Sequence, residues 1–460
     1  MKTLLITPPI AKIRVAFHQS PSLPLGLAYI AAVLDQSHNV KILDNYLENL
    51  DKEELKKRIH LVKPEIVGIT SDSFSFSYAG EIANAVKEVD KNIITVMGGP
   101  HANVFPDAPL KHDSIDISVY GEGELTVIEL WNKIEKGESL KDVKGIGYKN
   151  NDKIVINPPR ELIKNLDELP FPARHLFPMD RYERREKQYL DNIEPIDWMN
   201  TSRGCVFNCT FCDTREIFGI YRFRSPENIV DECELLVNKY GIKGVYFREA
   251  LFTLNKKRVL GICSELKERG LDIVWACDSR IDTIDKEMLK SMKDAGCRTV
   301  WFGIESGTQE ILDYLHKGIT VHQIKDIVKL SKECGMKVGG SFMIGIPGET
   351  IYQMHKTINF ACELRPYLDF AWFAAYLGIP KSQLYLYSKE NNLIDEDFGN
   401  GVFSVKTNEF DRAEMEKLMR YAVRKFERTP SRMFRRLIEE VKGGGFTGSK
   451  VIKGFKYYFG

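Results

Sequence analysis

Apolar and polar positions follow two rhythms over residues 1–150. Short apolar runs rich in β-formers (TLLITPP from Thr3, NVKILDN from Asn39, EIVGITS from Glu65, IITVMGG from Ile93, DISVYGEGE from Asp116) read as strands. Between them lie amphipathic stretches, LGLAYIAAVLDQ from Leu25, LDKEELKKRIHLV from Leu50, SYAGEIANAVKEVD from Ser77 and LTVIELWNKIEKG from Leu125, which read as helices. Apolar strands alternating with one-faced helices predict a parallel, doubly wound α/β sheet. Such sheets bind ligands at the carboxyl ends of their strands. Those ends carry Thr7-Pro8-Pro9, Ser71 to Ser75, Gly98-Gly99-Pro100-His101 and Gly121-Glu122-Gly123-Glu124. Small residues there let a ligand approach the backbone.

The rhythm breaks over 151–197, where Pro158, Pro159, Pro170, Pro172, Pro178 and Pro195 punctuate a charged stretch that reads as an interdomain connection. It resumes over 198–390 with WMNTSRGC, GVYFREA, IVWACDSRI, TVWFGIES, KVGGSFMIGIPG and LDFAWFAAYLG as strands separated by helices. Six βα units in series predict a partial (β/α)6 barrel with its chemistry at the strand C-termini. Residues 391–460 read as a charged helical region ending in a basic and aromatic tail.

Composition narrows the choices. With 43% apolar and 28% charged residues, the 460-residue chain is that of an ordinary globular protein, and a net charge of +1 argues against nucleic acid as its partner. No run approaches the about 18 apolar residues of a membrane span, and the N-terminus lacks the pattern of a signal peptide. A cytoplasmic location is therefore expected, and the nine cysteines are expected as thiols or metal ligands rather than disulfides. Six of them (Cys233, Cys263, Cys277, Cys297, Cys334 and Cys362) lie singly in apolar or helical contexts and read as buried small hydrophobes.

The other three form the sequence's sharpest feature: Arg203-Gly204-Cys205-Val206-Phe207-Asn208-Cys209-Thr210-Phe211-Cys212, just after a predicted strand. Three thiolates in so short a loop cannot complete a tetrahedral zinc site without a distant fourth ligand, and no fourth cysteine follows at ferredoxin spacing. They can hold a four-iron cluster by three corners and leave one iron open to a small molecule.

This C-x3-C-x2-C loop, with Phe211 before its last cysteine, resembles that of the radical S-adenosylmethionine superfamily, and the resemblance covers roughly 198–390. It implies a [4Fe-4S] cluster on Cys205, Cys209 and Cys212, with S-adenosylmethionine on the open iron, giving a 5′-deoxyadenosyl radical when an external donor such as ferredoxin or flavodoxin supplies an electron. Gly303-Ile304-Glu305-Ser306-Gly307 looks like the family's fifth-strand element, in which Glu305 and Ser306 would contact the nucleoside. Gly345-Ile346-Pro347-Gly348 resembles its sixth-strand glycine motif at the adenine; either element could also be a helix-capping turn. In Phe247-Arg248-Glu249-Ala250-Leu251-Phe252, only Glu249 fits the acidic role at the S-adenosylmethionine amino group. Arg280 is a candidate for its carboxylate or for a structural ion pair.

In the first domain, Pro8-Pro9, Pro24 to Leu27, Val67 to Thr70, Gly98 to His101 and Gly121 to Glu124 occur in the order and spacing of the cobalamin-binding radical enzymes. That group includes radical methyltransferases and the anaerobic magnesium-protoporphyrin ester cyclase. The resemblance implies a nucleotide tail lined by Ser71, Ser73, Gly98 and Gly99, with Gly121 and Glu122 beside it. A flavodoxin-like domain without cofactor is the alternative. The loop from Ile10 to Ser22 has His18 as its only histidine and no Asp-x-His-x-x-Gly motif, so cobalt is expected to lack a histidine from there; His101 reads as a turn residue.

The resulting expectation is a radical C-methyltransferase, with a non-methylating oxidoreductase or cyclase of the same architecture as the alternative. No residue is assigned to acid–base or nucleophilic catalysis. The substrate could be a small molecule, lipid, peptide or protein. The tail from Arg432, with Arg435, Arg436, Lys442, Lys450, Lys453 and Lys456 among aromatics, could touch a membrane surface or be a solvated end.

Overall fold

The computed structural model describes residues 1–9, 22–151, 153–182, 185–398, 400–429 and 432. The loop containing His18 and the tail beyond Arg432 lie outside the described residues.

The first sheet contains β1 (Lys2–Thr7), β2 (Asn39–Asp44), β3 (Ile66–Thr70), β4 (Ile94–Gly98), β5 (Ile117–Val119), β6 (Ile146–Asn150) and β7 (Lys153–Ile156). Their order is β2-β1-β3-β4-β5-β6-β7. The first five are parallel and the last two antiparallel. Strand periodicity sorts the core into two layers. Leu5 faces the helices Leu25–Leu34 and Gly123–Glu135, packing with Leu27, Leu34, Leu130 and Trp131. Leu4 and Ile6 face the opposite helices, packing with Leu55, Ile59, Ile82 and Val86. Strand order reverses at β1, so β1 and β3 part at the carboxyl edge and leave the crevice that doubly wound sheets use for ligands. The sheet ends at Ile156, past the expected boundary at 150, because the hairpin Asn150–Lys153 adds β7 to its edge.

The segment that follows is pinned rather than a loose connection. Arg174 is fully buried; its Nε donates to Asp197 at 2.6 Å, its Nη1 to Glu232 at 2.6 Å and its Nη2 to the Trp198 carbonyl at 3.1 Å. Arg224 donates to the other oxygen of Glu232. Each buried guanidinium is thus met by a carboxylate, as its desolvation requires.

The second large sheet contains β8 (Ile196–Met199); the short antiparallel pair β9 (Ser202–Arg203) and β10 (Arg222–Phe223) lies at its end. It continues through β11 (Gly244–Phe247), β12 (Val274–Ser279), β13 (Cys297–Glu305), β14 (Lys337–Ile344) and β15 (Phe370–Ala375). Six parallel strands in the order β15-β14-β13-β12-β11-β8 give the expected partial barrel. Helices follow strands at capped starts: Ser225, Asn255, Asp285, Thr320 and Thr350 each accept a backbone N–H through the side chain. Of the single cysteines, Cys233, Cys263, Cys277 and Cys297 are buried as expected, whereas Cys334 and Cys362 are only partly so.

Beyond the barrel, β16 (Leu377–Gly378), β17 (Ile394–Asp397) and β18 (Phe403–Val405) form a small antiparallel sheet. The charged C-terminal region reads as helix from its sequence; β17 and β18 depart from that because three or four residues are too few to show strand periodicity, and β17 is mostly acidic. Helix Arg412–Glu427 follows and packs Met415, Ala422 and Phe426 on the barrel core. Among the described residues no helix is long and apolar enough to cross a membrane.

Truncating Arg174 to Ala would take the guanidinium away from buried Asp197 and from one oxygen of Glu232, leaving Arg224 on the other oxygen. Denaturant titration of the variant should show a loss of about 3–5 kcal/mol; an unchanged midpoint would mean that the network does not support the seam.

Candidate functional site

The carboxyl ends of both large sheets open on one cavity of about 840 Å³. Its wall takes residues from β1, β3, β4 and β5 on one side and from β9, β12, β13 and β14 on the other, so the site lies between the two sheets.

Cys205, Cys209 and Cys212 all line this cavity, as does Phe211. Their loop is shaped by Gly204, whose φ of +79° falls in the left-handed region. A Cβ there would sit 2.2 Å from the Ile220 carbonyl oxygen and 2.5 Å from that of Gly219, so the close approach requires glycine. The Cys205 amide donates to Gly219 at 3.2 Å, and Thr210 ties the loop to Leu315 and Leu384 through its backbone. Burial pushes the Cys205 and Cys212 thiols above their ordinary value; iron would have to displace those protons to bind, as metals do at thiol sites. The three half-buried thiols reach the same cavity from one loop, a donor set whose chemistry fits a cluster held by three corners.

Arg280 lies against this loop. Its guanidinium stands 3.6 Å over the Phe207 ring, its Nη1 is 3.6 Å from Cys209 Sγ, and Asp282 takes its Nε and Nη2 at 2.8 and 2.9 Å. Arg280 is thus ion-paired to Asp282, and it also lines the cavity. Glu305 also faces the cavity, in the left-handed region at φ +66° where β13 shifts register. Lys317 donates to it at 2.8 Å, and Gly303 leaves room for the pair, since a Cβ there would fall 2.6 Å from Glu305 Oε1. A non-glycine residue held in this conformation stores strain of the kind found at functional sites.

Other expected residues are spent elsewhere. Glu249 reaches the cavity wall, but its Oε2 accepts from the Thr201 amide and hydroxyl, both at 2.7 Å, and its Oε1 from Arg258 at 3.2 Å. Ser306 lies outside the wall, buried against Thr308 and Thr357. Gly345 and Pro347 also lie outside it; the Gly345 amide donates to Glu349 at 2.8 Å, and a Cβ on Gly345 would meet Met415 Sδ at 2.6 Å. These motifs end the fourth and fifth strands of the barrel, not a fifth and sixth, because β13 and β14 hold those places after β8, β11 and β12.

On the first-domain side, Gly26, Gly68, Gly98, Gly99, Gly121 and Gly123 stand in the wall among apolar side chains. Gly26 and Gly121 have nothing within 4 Å of where a Cβ would stand, and Gly99, at φ +101°, lies so close to Ser71 that a Cβ would be 2.6 Å from its carbonyl oxygen. Behind them an apolar slot runs between the sheet and two helices to Leu5, Val96 and Trp131. A roomy apolar slot with a glycine mouth fits the flat ring and nucleotide tail of a cobalamin. Ser71 and Ser73 are not part of that wall. The Ser71 hydroxyl is buried without a partner among the described residues, and Ser73 meets His101 Nδ1 at 3.0 Å. The His101 imidazole, its pKa pushed down to about 4 by burial, packs between Phe76 and Phe105. Glu122 is gripped by Arg203, Arg222 and the Ile163 amide; burial alone would raise its pKa, but these partners hold it below the ordinary carboxylate range.

Two further residues, Asp278 and Arg248, have no role in the sequence motifs. Asp278 lines the cavity; Tyr246 donates to it at 2.8 Å, and burial pushes its carboxyl up to about 6 against the pull of Arg248. Arg248 lines the same space and stacks 5.1 Å over Trp198. Asp278 stands on β12 and Arg248 directly after β11, and the period-two alternation of those strands could have marked Asp278.

Residues 199–361 match the radical SAM superfamily and residues 12–130 the B12 binding domain. An uncharacterised methyltransferase of Pyrococcus horikoshii is 38% identical over 99% of this chain and 98% of its own length. The chain belongs to the cobalamin-binding radical S-adenosylmethionine enzymes. Other members of the family include the cytidylyl-2-hydroxyethylphosphonate methyltransferase of Streptomyces wedmorensis, 30% identical over 79% of this chain and 77% of the relative. The anaerobic magnesium-protoporphyrin IX monomethyl ester cyclase of Rubrivivax gelatinosus is 29% identical over 79% of this chain and 65% of its own. The fold is that of the radical S-adenosylmethionine methyltransferase TsrM from Kitasatospora setae with cobalamin and a [4Fe-4S] cluster bound, at TM-score 0.69 and 20% identity over 85% of this chain and 75% of that one. It is also that of the radical enzyme OxsB with aqua-cobalamin bound, at TM-score 0.74 and 17% identity over 92% and 66%. Membership brings the cofactors of this radical SAM family: a [4Fe-4S] cluster, S-adenosylmethionine and cobalamin.

Replacing Cys205, Cys209 or Cys212 with Ala should each abolish the electron paramagnetic resonance signal of the reduced cluster after anaerobic reconstitution, while Cys233→Ala, buried among apolar side chains, should keep it. A full signal in any of the three would remove that cysteine from the ligand set.

Proposed function

We propose that this enzyme transfers a methyl group to an unactivated carbon of its substrate. The observation that carries the reading is the shared cavity: the three-cysteine loop and the apolar slot open on the same space. When bound, the cluster and S-adenosylmethionine supply a hydrogen-abstracting radical, and cobalamin supplies a methyl carrier. Over one turnover the substrate R–H, two S-adenosylmethionine molecules and two electrons from an external donor give R–CH3, S-adenosylhomocysteine, 5′-deoxyadenosine and methionine. Ferredoxin or flavodoxin has the chemistry to be that donor.

The protein's own residues orient and enclose. Cys205, Cys209 and Cys212 would hold the cluster, with Arg280 offering positive charge beside Cys209. Glu305, Lys317 and Asp278 present polar groups where S-adenosylmethionine and substrate would lie. Gly26, Gly98, Gly99 and Gly121 would let cobalamin approach the backbone of the first sheet. Trp301 on β13 donates to Ser341 on the neighbouring β14 at 2.7 Å, and both line the cavity, where the indole would help to keep water from a radical.

The cyclase relative supports a second reading, radical oxidation or ring closure without methylation. Mass spectrometry of products separates the two. Methylation adds one CH2 unit to the substrate and forms S-adenosylhomocysteine beside 5′-deoxyadenosine, one of each per product. A product that has lost hydrogen, with no S-adenosylhomocysteine, would establish the second reading and end the first.

A further inference from the structure

One turn of the first sheet touches both sides of the cavity. Gly121, Glu122 and Gly123, following β5, form part of the wall beside the apolar slot. From the same turn, Glu122 Oε1 accepts from Arg203 Nη1 at 3.0 Å and Glu124 Oε1 from Arg203 Nη2 at 2.5 Å. Arg203 lies on β9, two residues before Cys205, with only Gly204 between them. Its guanidinium also stands 5.5 Å from the centroid of the Tyr29 ring, on a helix of the first sheet.

The contact is built to be stiff. Arg222, paired with Arg203 across β9 and β10, donates to Glu122 Oε2 at 2.8 Å and to the Ile163 carbonyl at 2.7 Å. The Ile163 amide donates back to Glu122 at 2.7 Å. Side-chain exposures run from 6% for Glu124 to 18% for Arg203, so these charges are nearly out of water. Buried ion pairs of this kind add little net stability over apolar packing but fix geometry, because an arginine fork accepts carboxylates in few orientations. Gly204 then passes that geometry to Cys205, held as it is against Gly219 and Ile220.

We propose that Arg203, Glu122 and Glu124 form a positioning clamp that sets the separation between the cobalamin on the first sheet and the cluster on the cysteine loop. The proposal rests on the reading of Cys205, Cys209 and Cys212 as cluster ligands. Two fates of S-adenosylmethionine depend on this separation differently. Cleavage to methionine and 5′-deoxyadenosine takes one electron from the cluster and a hydrogen atom, and needs only the barrel side. Loss of the methyl group to cobalt, whose reduced form supplies both electrons of the new bond, yields S-adenosylhomocysteine and needs the distance across the clamp.

The test uses the holoenzyme with Glu124→Gln and Arg203→Lys, each keeping a polar group of similar size in place. Pulsed dipolar spectroscopy of the reduced cluster and cobalt(II) reads the separation without turnover; product analysis reads the ratio of S-adenosylhomocysteine to 5′-deoxyadenosine. Both variants should shift or broaden the cluster–cobalt distance by about 1 Å and lower that ratio roughly tenfold, with 5′-deoxyadenosine formation within roughly threefold of the parent. Glu129→Gln, on the same helix but paired outward with Arg160, should change neither. Folded variants with the parent distance and the parent ratio, or with both products falling together, would overturn the clamp. A parent holoenzyme with no cluster–cobalt coupling would instead overturn the cofactor assignment beneath it.

Discussion

A guanidinium taken out of water must meet carboxylates, and the seam between the two sheets of this protein is organised around that demand. Arg174 and Arg224 share Glu232, with Asp197 at the other side of Arg174. Arg203 and Arg222 share Glu122, with Glu124 at the other side of Arg203. Both networks join residues far apart in sequence, and neither tolerates much misalignment without leaving a charge stranded. The first network pins the connecting segment to the barrel and the second ties the turn after β5 to β9 and β10, so the two carboxyl edges face one another across the cavity.

That arrangement explains why one space suits two large cofactors. The first sheet contributes bare backbone and an apolar slot, which ask little of a ligand beyond shape. The barrel contributes three thiols, Arg280, Lys317, Glu305 and Asp278, which set charge and orientation. Lys317 lies 5.7 Å from the centroid of Phe211 and Arg280 3.6 Å from that of Phe207, so both cations are held against aromatic residues of the cysteine loop itself. The left-handed Glu305 and the side-chain-free Gly303 beside it show the backbone bending to make room for this chemistry.

Local features are legible in the amino-acid sequence, and partnerships are not. The strands and helices of the first sheet announce themselves through alternation, because Leu4 and Leu5 must face opposite layers. The cysteine triad falls within eight consecutive residues, so its spacing alone carries its chemistry. By contrast, whether Glu122 serves a ligand or Arg203 depends on a partner 81 residues away, which no local pattern records. Ser306 and Gly345 stand in recognisable motifs, but a motif does not say which side of a strand end it faces; both turn away from the cavity. The short strands β17 and β18 escape notice because a few residues cannot establish a period.

The central claim is that both metal cofactors share the one cavity between the sheets. Anomalous scattering at the iron and cobalt absorption edges, from crystals of the anaerobically reconstituted protein, tests it directly. The account predicts iron at Cys205, Cys209 and Cys212 and cobalt in the same cavity beside Gly99 and Gly121. Cobalt outside that cavity, or iron away from the triad, would contradict it.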